Sequence, residues 1–155
     1  MNERDVVVGV DGSPGSRAAL EYAMAEAARR GALLRVVAAV TLPEFWATSY
    51  GMYVPPPPGD IVKDARKELQ RFVDETAAAW SSATGTPPIS VETRAGRAGD
   101  VLVDAAEGAD LLVVGHRGRG ALSSVLIGSV GLYCLLHANC PVTVVPACPD
   151  RVETR

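Results

Sequence analysis

The residues of this chain best equipped for chemistry are three glycines and a serine, spaced Gly115-x2-Gly118-x9-Gly128-Ser129 and set directly behind the apolar run at 111–114. A glycine loop between a strand and a helix suits an anion, because backbone without Cβ atoms lets a ligand approach the main chain closely. A helix starting at 128–130 adds unpaired N–H groups and the positive end of its dipole, which together favour phosphate. The same spacing also serves plain turn chemistry, with Gly115 and Gly118 turning the chain and Gly128 relieving a tight helix–strand contact. Spacing alone leaves the two readings level.

Asp11 is the second feature. It follows the apolar run at 6–10 and opens the turn Asp11-Gly12-Ser13-Pro14-Gly15. Beside a cluster of main-chain donors, a carboxylate can hold a divalent cation such as Mg2+ on phosphate oxygens, or accept a hydrogen bond from a ribose hydroxyl. It can equally close its own turn. Arg117 and Arg119 flank the glycine loop, either as bidentate phosphate donors or as solvated side chains. Ser123 and Ser124 offer hydroxyls to a terminal phosphate or are plain loop residues. His116 has no carboxylate or serine at a recognisable spacing and is read as a surface side chain. The lysine of a Gly-x4-Gly-Lys-Ser/Thr phosphate loop is missing, and no convincing general base stands ready to activate water.

The elements that must position these residues alternate between strand and helix. Residues 6–10 form a short apolar run, as in a strand covered on both faces. Ser13 is placed to cap a helix and Pro14 to occupy its first position; Ala19, Tyr22, Ala23 and Ala27 recur at helical spacing, and Gly31 closes the helix. Leu33–Val40 reads as a second strand. A long irregular segment, 41–59, follows and ends in four prolines that can continue neither a helix nor a central strand. Trp46 within it is placed to fold over a ligand or to cover a partner surface.

Ile61, Ala65, Leu69, Phe72, Val73, Thr76 and Trp80 mark one face of an amphipathic helix, with Trp80 read as core. A third strand at 89–93, a short helix at about 100–106 and a fourth strand at 111–114 lead to the glycine loop. A last helix from 128 or 129 to about 138 and a fifth strand, Val142–Val145, complete the pattern. Five strands with intervening helices and right-handed crossovers predict a doubly wound parallel sheet with helices on both faces. Ligands of such sheets bind at the carboxyl ends of the strands, where the strand order reverses.

Composition narrows the partners. A chain of 155 residues is read as one domain, 1–155, with its core at about 5–146 and a polar tail at 147–155. Hydrophobic residues at 48% and charged residues at 21% are those of a globular protein, which argues against disorder. The net charge of -3 gives no overall attraction to nucleic acid or to an anionic membrane. No segment reaches the ~18 apolar residues of a membrane span, and the first residues lack the regions of a signal peptide, so the expectation is cytoplasmic. Cys134, Cys140 and Cys148 form no CxxC pair; Cys134 is expected to pack in the last helix as a small hydrophobe.

Three stretches together resemble the universal stress protein family: Val-Gly-Val-Asp-Gly-Ser from Val8 to Ser13, Ala-Asp-Leu-Leu-Val-Val-Gly-His-Arg-Gly-Arg-Gly from Ala109 to Gly120, and Leu-Ile-Gly-Ser-Val with the later Cys-Pro-Val-Thr-Val-Val. The spacing from Gly115 to Ser129 resembles the ATP-binding signature of that family. The resemblance implies strand order 3-2-1-4-5 and an adenine nucleotide site. Carried over by position, Gly115, Gly118, Gly128, Ser129 and Val130 would surround ribose and phosphates. Asp11 would sit at the nucleotide, Gly9 and Val114 would line the pocket, and adenine would lie near Ala39. At Ala38-Ala39 the chain departs from relatives that carry a bulkier residue or a preceding histidine.

The function implied is an ATP-binding cytoplasmic stress-response module with slow or no hydrolysis and no catalytic residues. It would pair as a homodimer through the edge strand Val142–Val145 and meet a protein partner that the sequence does not name. Two alternatives remain open: a Mg2+-dependent ATP hydrolase or nucleotidyl-transfer enzyme using Asp11, and a nucleotide-independent interaction module.

Overall fold

A computed structural model describes residues 5–42, 56–80, 82–116 and 127–147. The chain forms β1 (Asp5–Gly9), α1 (Pro14–Arg30), β2 (Leu33–Val40), α2 (Pro58–Ala79), β3 (Ile89–Ala95), α3 (Ala98–Ala105), β4 (Leu111–Gly115), α4 (Ser129–His137) and β5 (Val142–Val145). All four strand pairings are parallel and the order is β3-β2-β1-β4-β5. The α/β class and the order expected from the resemblance are therefore those observed.

β1 lies at the centre because Val6, Val7 and Val8 present apolar side chains to both faces, and all three are fully buried. Val8 stands opposite Val36 of β2 and Val113 of β4. On one face, Val6, Val8, Leu34, Val36 and Val113 pack with Ala19, Leu20, Ala23 and Met24 of α1 and Leu69 and Val73 of α2. On the other, Val7, Val37, Leu112 and Val114 pack with Val101, Leu102 and Ala105 of α3 and Cys134 of α4. Trp80 packs against the first of these clusters, as expected. Cys134 is fully buried, and burial pushes its thiol up to about 11, so at neutral pH it is an inert hydrophobe. Cys148 lies outside the described residues.

Several boundaries differ from the sequence reading. β1 starts and stops one residue earlier than 6–10, although the Val10 N–H still donates to the Val37 carbonyl at 3.0 Å. The proline run does not exclude helix throughout: Pro57 is the N-cap and Pro58 the first residue of α2. A missing N–H costs nothing at that position, because no intrahelical acceptor awaits it. β3 continues to Ala95 and α3 begins at Ala98, before the expected residue 100. Gly128 is the N-cap of α4, and the helix proper starts at Ser129. Trp46 and most of the 41–59 segment lie outside the described residues, as do Arg117, Gly118, Arg119, Ser123 and Ser124.

α1 and α2 cover one face and α3 and α4 the other, and the strand order reverses between β1 and β4. The carboxyl ends of these two neighbours therefore diverge, and a hollow opens above them.

Candidate functional site

Two turns meet at that hollow. After β1 the chain turns through Gly12, whose φ of 78 lies in the left-handed region that favours glycine. Asp11 Oδ1 accepts the Ser13 N–H at 2.9 Å, closing the turn as the local reading of this aspartate anticipated. Ser13 then caps α1, its Oγ accepting the Ser16 N–H at 3.2 Å. Ser16 Oγ donates back to the Ser13 carbonyl at 3.0 Å. The start of α1 is thus closed by its own side chains.

The start of α4 is built differently. The His116 N–H donates to the Val145 carbonyl at 2.7 Å, and the His116 carbonyl accepts the Gly128 N–H at 2.8 Å. These bonds pin both ends of the glycine loop to the edge of the sheet. Gly128 has φ -62 and ψ 155, extended backbone open to any residue, and no side chain among the described residues caps α4. The first turn of α4 has no acidic residue either, so its dipole meets the hollow unopposed from within the helix.

Gly115 is glycine for a packing reason and not for its φ. A Cβ there would fall 2.9 Å from the Gly15 carbonyl oxygen and 3.0 Å from its carbon. β4 and the first turn of α1 approach backbone to backbone, which draws the two turns to one place. A Cβ on Gly9 would similarly meet the Leu102 side chain at 2.5 Å. The tight contact that the sequence suggested for Gly128 is found at Gly115, whose expected turn role has no positive φ behind it, and Gly115 also lines the cavity.

The cavity has a volume of about 830 Å3, within the range of roughly 300–1,000 Å3 found for small-molecule sites. Gly9, Asp11, Ala39, Val114, Gly115, Gly128, Ser129 and Val130 all line it. Eight positions chosen from four separate sequence stretches thus come together around one space; the remaining two, Arg117 and Gly118, lie outside the described residues. The sequence reading missed a whole wall. Ala65, Glu68, Leu69 and Phe72 of α2 line the cavity, with Ala98 and Leu102 of α3 opposite. Ala65, Leu69 and Phe72 belong to the apolar helix face expected from the sequence, but a face that covers a sheet and then overhangs its end looks uniform in sequence. Phe72 is fixed by the Arg17 guanidinium, 5.1 Å from its ring centroid.

Among the described lining residues of this cavity the charged side chains are Asp11 and Glu68, both acidic. An anionic ligand would therefore depend on main-chain N–H groups here, and an apolar ring would find Val37, Ala38, Ala39, Leu69 and Phe72 at the β2 end. The arrangement has a polar end at the start of α4 and an apolar end between β2 and α2. The described residues include no cluster of three or more His, Cys, Asp or Glu that could hold a metal. None of their helices is long and apolar enough to cross a membrane.

A doubly wound α/β domain with a ligand-sized cavity at its switch point is the class defined by fold and site. The family model of the universal stress proteins matches residues 3–146, and the chain belongs to that family. It is similar to the universal stress proteins Rv1996 and Rv2005c of Mycobacterium tuberculosis, 33% identical over 153 residues and 35% over 139. These matches cover 93% and 90% of this chain but only 48% and 44% of those proteins, so the chain spans about half the length of the curated relatives it matches. Among solved structures it is similar to a universal stress protein in complex with cAMP, at 27% identity and a TM-score of 0.68, covering 95% of this chain and 99% of that one. The Archaeoglobus fulgidus universal stress protein in complex with dAMP is similar at 25% identity and a TM-score of 0.63, covering 94% and 99%.

Proposed function

We propose that the cavity binds an adenine nucleotide, ATP among its ligands, and that occupancy regulates what this stress-response domain associates with. The observation that carries this reading is the start of α4, which enters a ligand-sized cavity without a side-chain cap and without an acidic first turn. Phosphate would lie against Ser129 and Val130, with Gly128 and Gly118 beside it as the family resemblance suggests and Arg117, which flanks the loop, as a bidentate donor. Asp11 would accept a ribose hydroxyl while keeping the Ser13 N–H, and the base would enter the apolar end by Ala39 and Phe72. The relatives solved with cAMP and dAMP support an adenine nucleotide of this size.

Binding with slow or no hydrolysis is the favoured activity. The described wall offers Asp11 and Glu68 as carboxylates, and Asp11 is already engaged in its own turn. A Mg2+-dependent hydrolase using Asp11 is the second reading. Pairing of two copies through β5 is supported by its place at the sheet edge and by Leu132, Leu135 and Leu136 on the adjacent α4, which are 46%, 47% and 71% exposed. A cytoplasmic location accompanies this reading.

Titration of the purified chain with ATP and AMP, with and without Mg2+, followed by phosphate release over hours, tests the proposal. Saturable binding with turnover far below about 1 per second is expected. Faster turnover that Asp11→Ala abolishes would establish the hydrolase, and no affinity for any adenine nucleotide would leave an interaction module.

A further inference from the structure

A second hollow of about 300 Å3 adjoins the main cavity and shares Ala98, Ser129 and Val130 with it. It is closed by the α3 side of the molecule, through Arg97, Gly99 and Asp100, and by Tyr133 of α4. Its wall is firmly built. The Tyr133 ring lies so close over Gly99 that a Cβ there would fall 2.5 Å from the ring Cδ1. The Tyr133 hydroxyl donates to Asp100 Oδ1 at 2.5 Å, and the His137 ring stacks on Tyr133 with centroids 4.1 Å apart. The Asp100 carboxylate is thereby occupied by the phenol and holds Tyr133 in its protonated, donor form.

Arg97 is the N-cap of α3 and its carbonyl accepts the Val101 N–H at 3.0 Å, but its side chain makes no hydrogen bond or ion pair among the described residues. Among the described residues lining the two hollows it is the one cation, against Asp11, Glu68 and Asp100. Ser129 and Val130 form the wall common to both spaces, and they are also where the first phosphate of a bound nucleotide would sit. Further phosphates on the same chain would begin at this shared wall, on whose other side Arg97 lines the hollow. A planar guanidinium with two parallel donors suits a terminal phosphate better than it suits water.

We propose that this side hollow receives the phosphates beyond the first, and that Arg97 is the residue by which the site distinguishes a nucleoside di- or triphosphate from a monophosphate. The inference rests on the nucleotide reading of the main cavity. The relatives seen with cAMP and dAMP carry ligands with a single phosphorus, the number this assignment leaves to the main cavity.

The test is calorimetric titration of AMP, ADP and ATP into the native chain, Arg97→Gln and Arg97→Lys, read as the ratio of ATP to AMP affinity. Loss of one charge-assisted contact predicts that Arg97→Gln lowers this ratio about tenfold. Arg97→Lys, which keeps the charge and loses the fork, should fall between the two. A ratio unchanged in Arg97→Gln, or ATP and AMP weakened equally, would overturn the assignment while leaving the nucleotide site intact. Native protein that binds none of the three nucleotides would overturn both. Melting of the nucleotide-free variants checks that this exposed arginine has no structural task.

Discussion

α1 and α4 begin at the same cavity, yet α1 closes its own first turn with Ser13 and Asp11 whereas α4 begins at Gly128, which has no side chain to offer. Both helices follow strands that end at the switch point, and both lack an acidic residue in the first turn. The difference lies in a few side-chain atoms. It teaches that two helix starts facing one cavity need not be equivalent: α1 has spent its Ser16 N–H on the Ser13 cap, and α4 has not been given a side chain on which to spend one. Gly115 joins the two, because the backbone-to-backbone approach of β4 and α1 sets both starts around one space.

Removing that junction gives the largest expected effect. Gly115→Ala places a methyl group against the fixed backbone of Gly15, which cannot rotate aside, so stability should fall by about 1–3 kcal/mol. Chemical denaturation with the slope compared between variants measures this; a loss of nucleotide affinity at unchanged midpoint would make Gly115 a ligand residue only.

Giving α4 the cap it lacks sharpens the contrast, since stability and binding should move in opposite directions. Gly128 has extended backbone that aspartate adopts readily. Gly128→Asp should leave the nucleotide-free melting temperature unchanged or raise it, by up to about 1 kcal/mol of stability. Its carboxylate occupies the phosphate position, and affinity for ATP should drop at least about tenfold. Equal affinity in variant and native protein would remove α4 from the site.

The reverse change at α1 should do the opposite and do least. Ser13→Ala deletes the cap on Ser16 N–H and should cost about 1 kcal/mol, with little change in nucleotide affinity. If binding falls more than stability does, the α1 start also holds ligand, and the contrast between the two helices fails.

Much of the fold was legible because its signals are local. Valine runs bounded by turn residues marked the strands, and β2 and β5 have the expected limits. Ser13, Pro14 and Gly31 marked the limits of α1, the last with φ 61 in the left-handed region. The proline run before α2 was misjudged because one residue type serves two opposite ends: proline forbids a helix interior and favours its first position. The site was partly legible for a similar reason. Glycines and Asp11 are conspicuous in sequence, whereas Ala65, Leu69 and Phe72 carry the same apolar pattern whether they cover a sheet or roof a cavity. Arg97 gave no signal at all among the other arginines.

The sequence by itself determined the alternation of strands and helices, the caps of α1 and the family, because hydrophobic period, turn chemistry and motif spacing are properties of neighbouring residues. Tertiary structure decided what those residues do for one another. Only the folded chain brings Gly115 against Gly15, leaves α4 without a cap beside a cavity, sets α2 over the end of the sheet and puts Arg97 and Ser129 around one hollow. Each of these depends on approach between segments far apart in sequence, and such distances are fixed by how whole elements pack on the sheet.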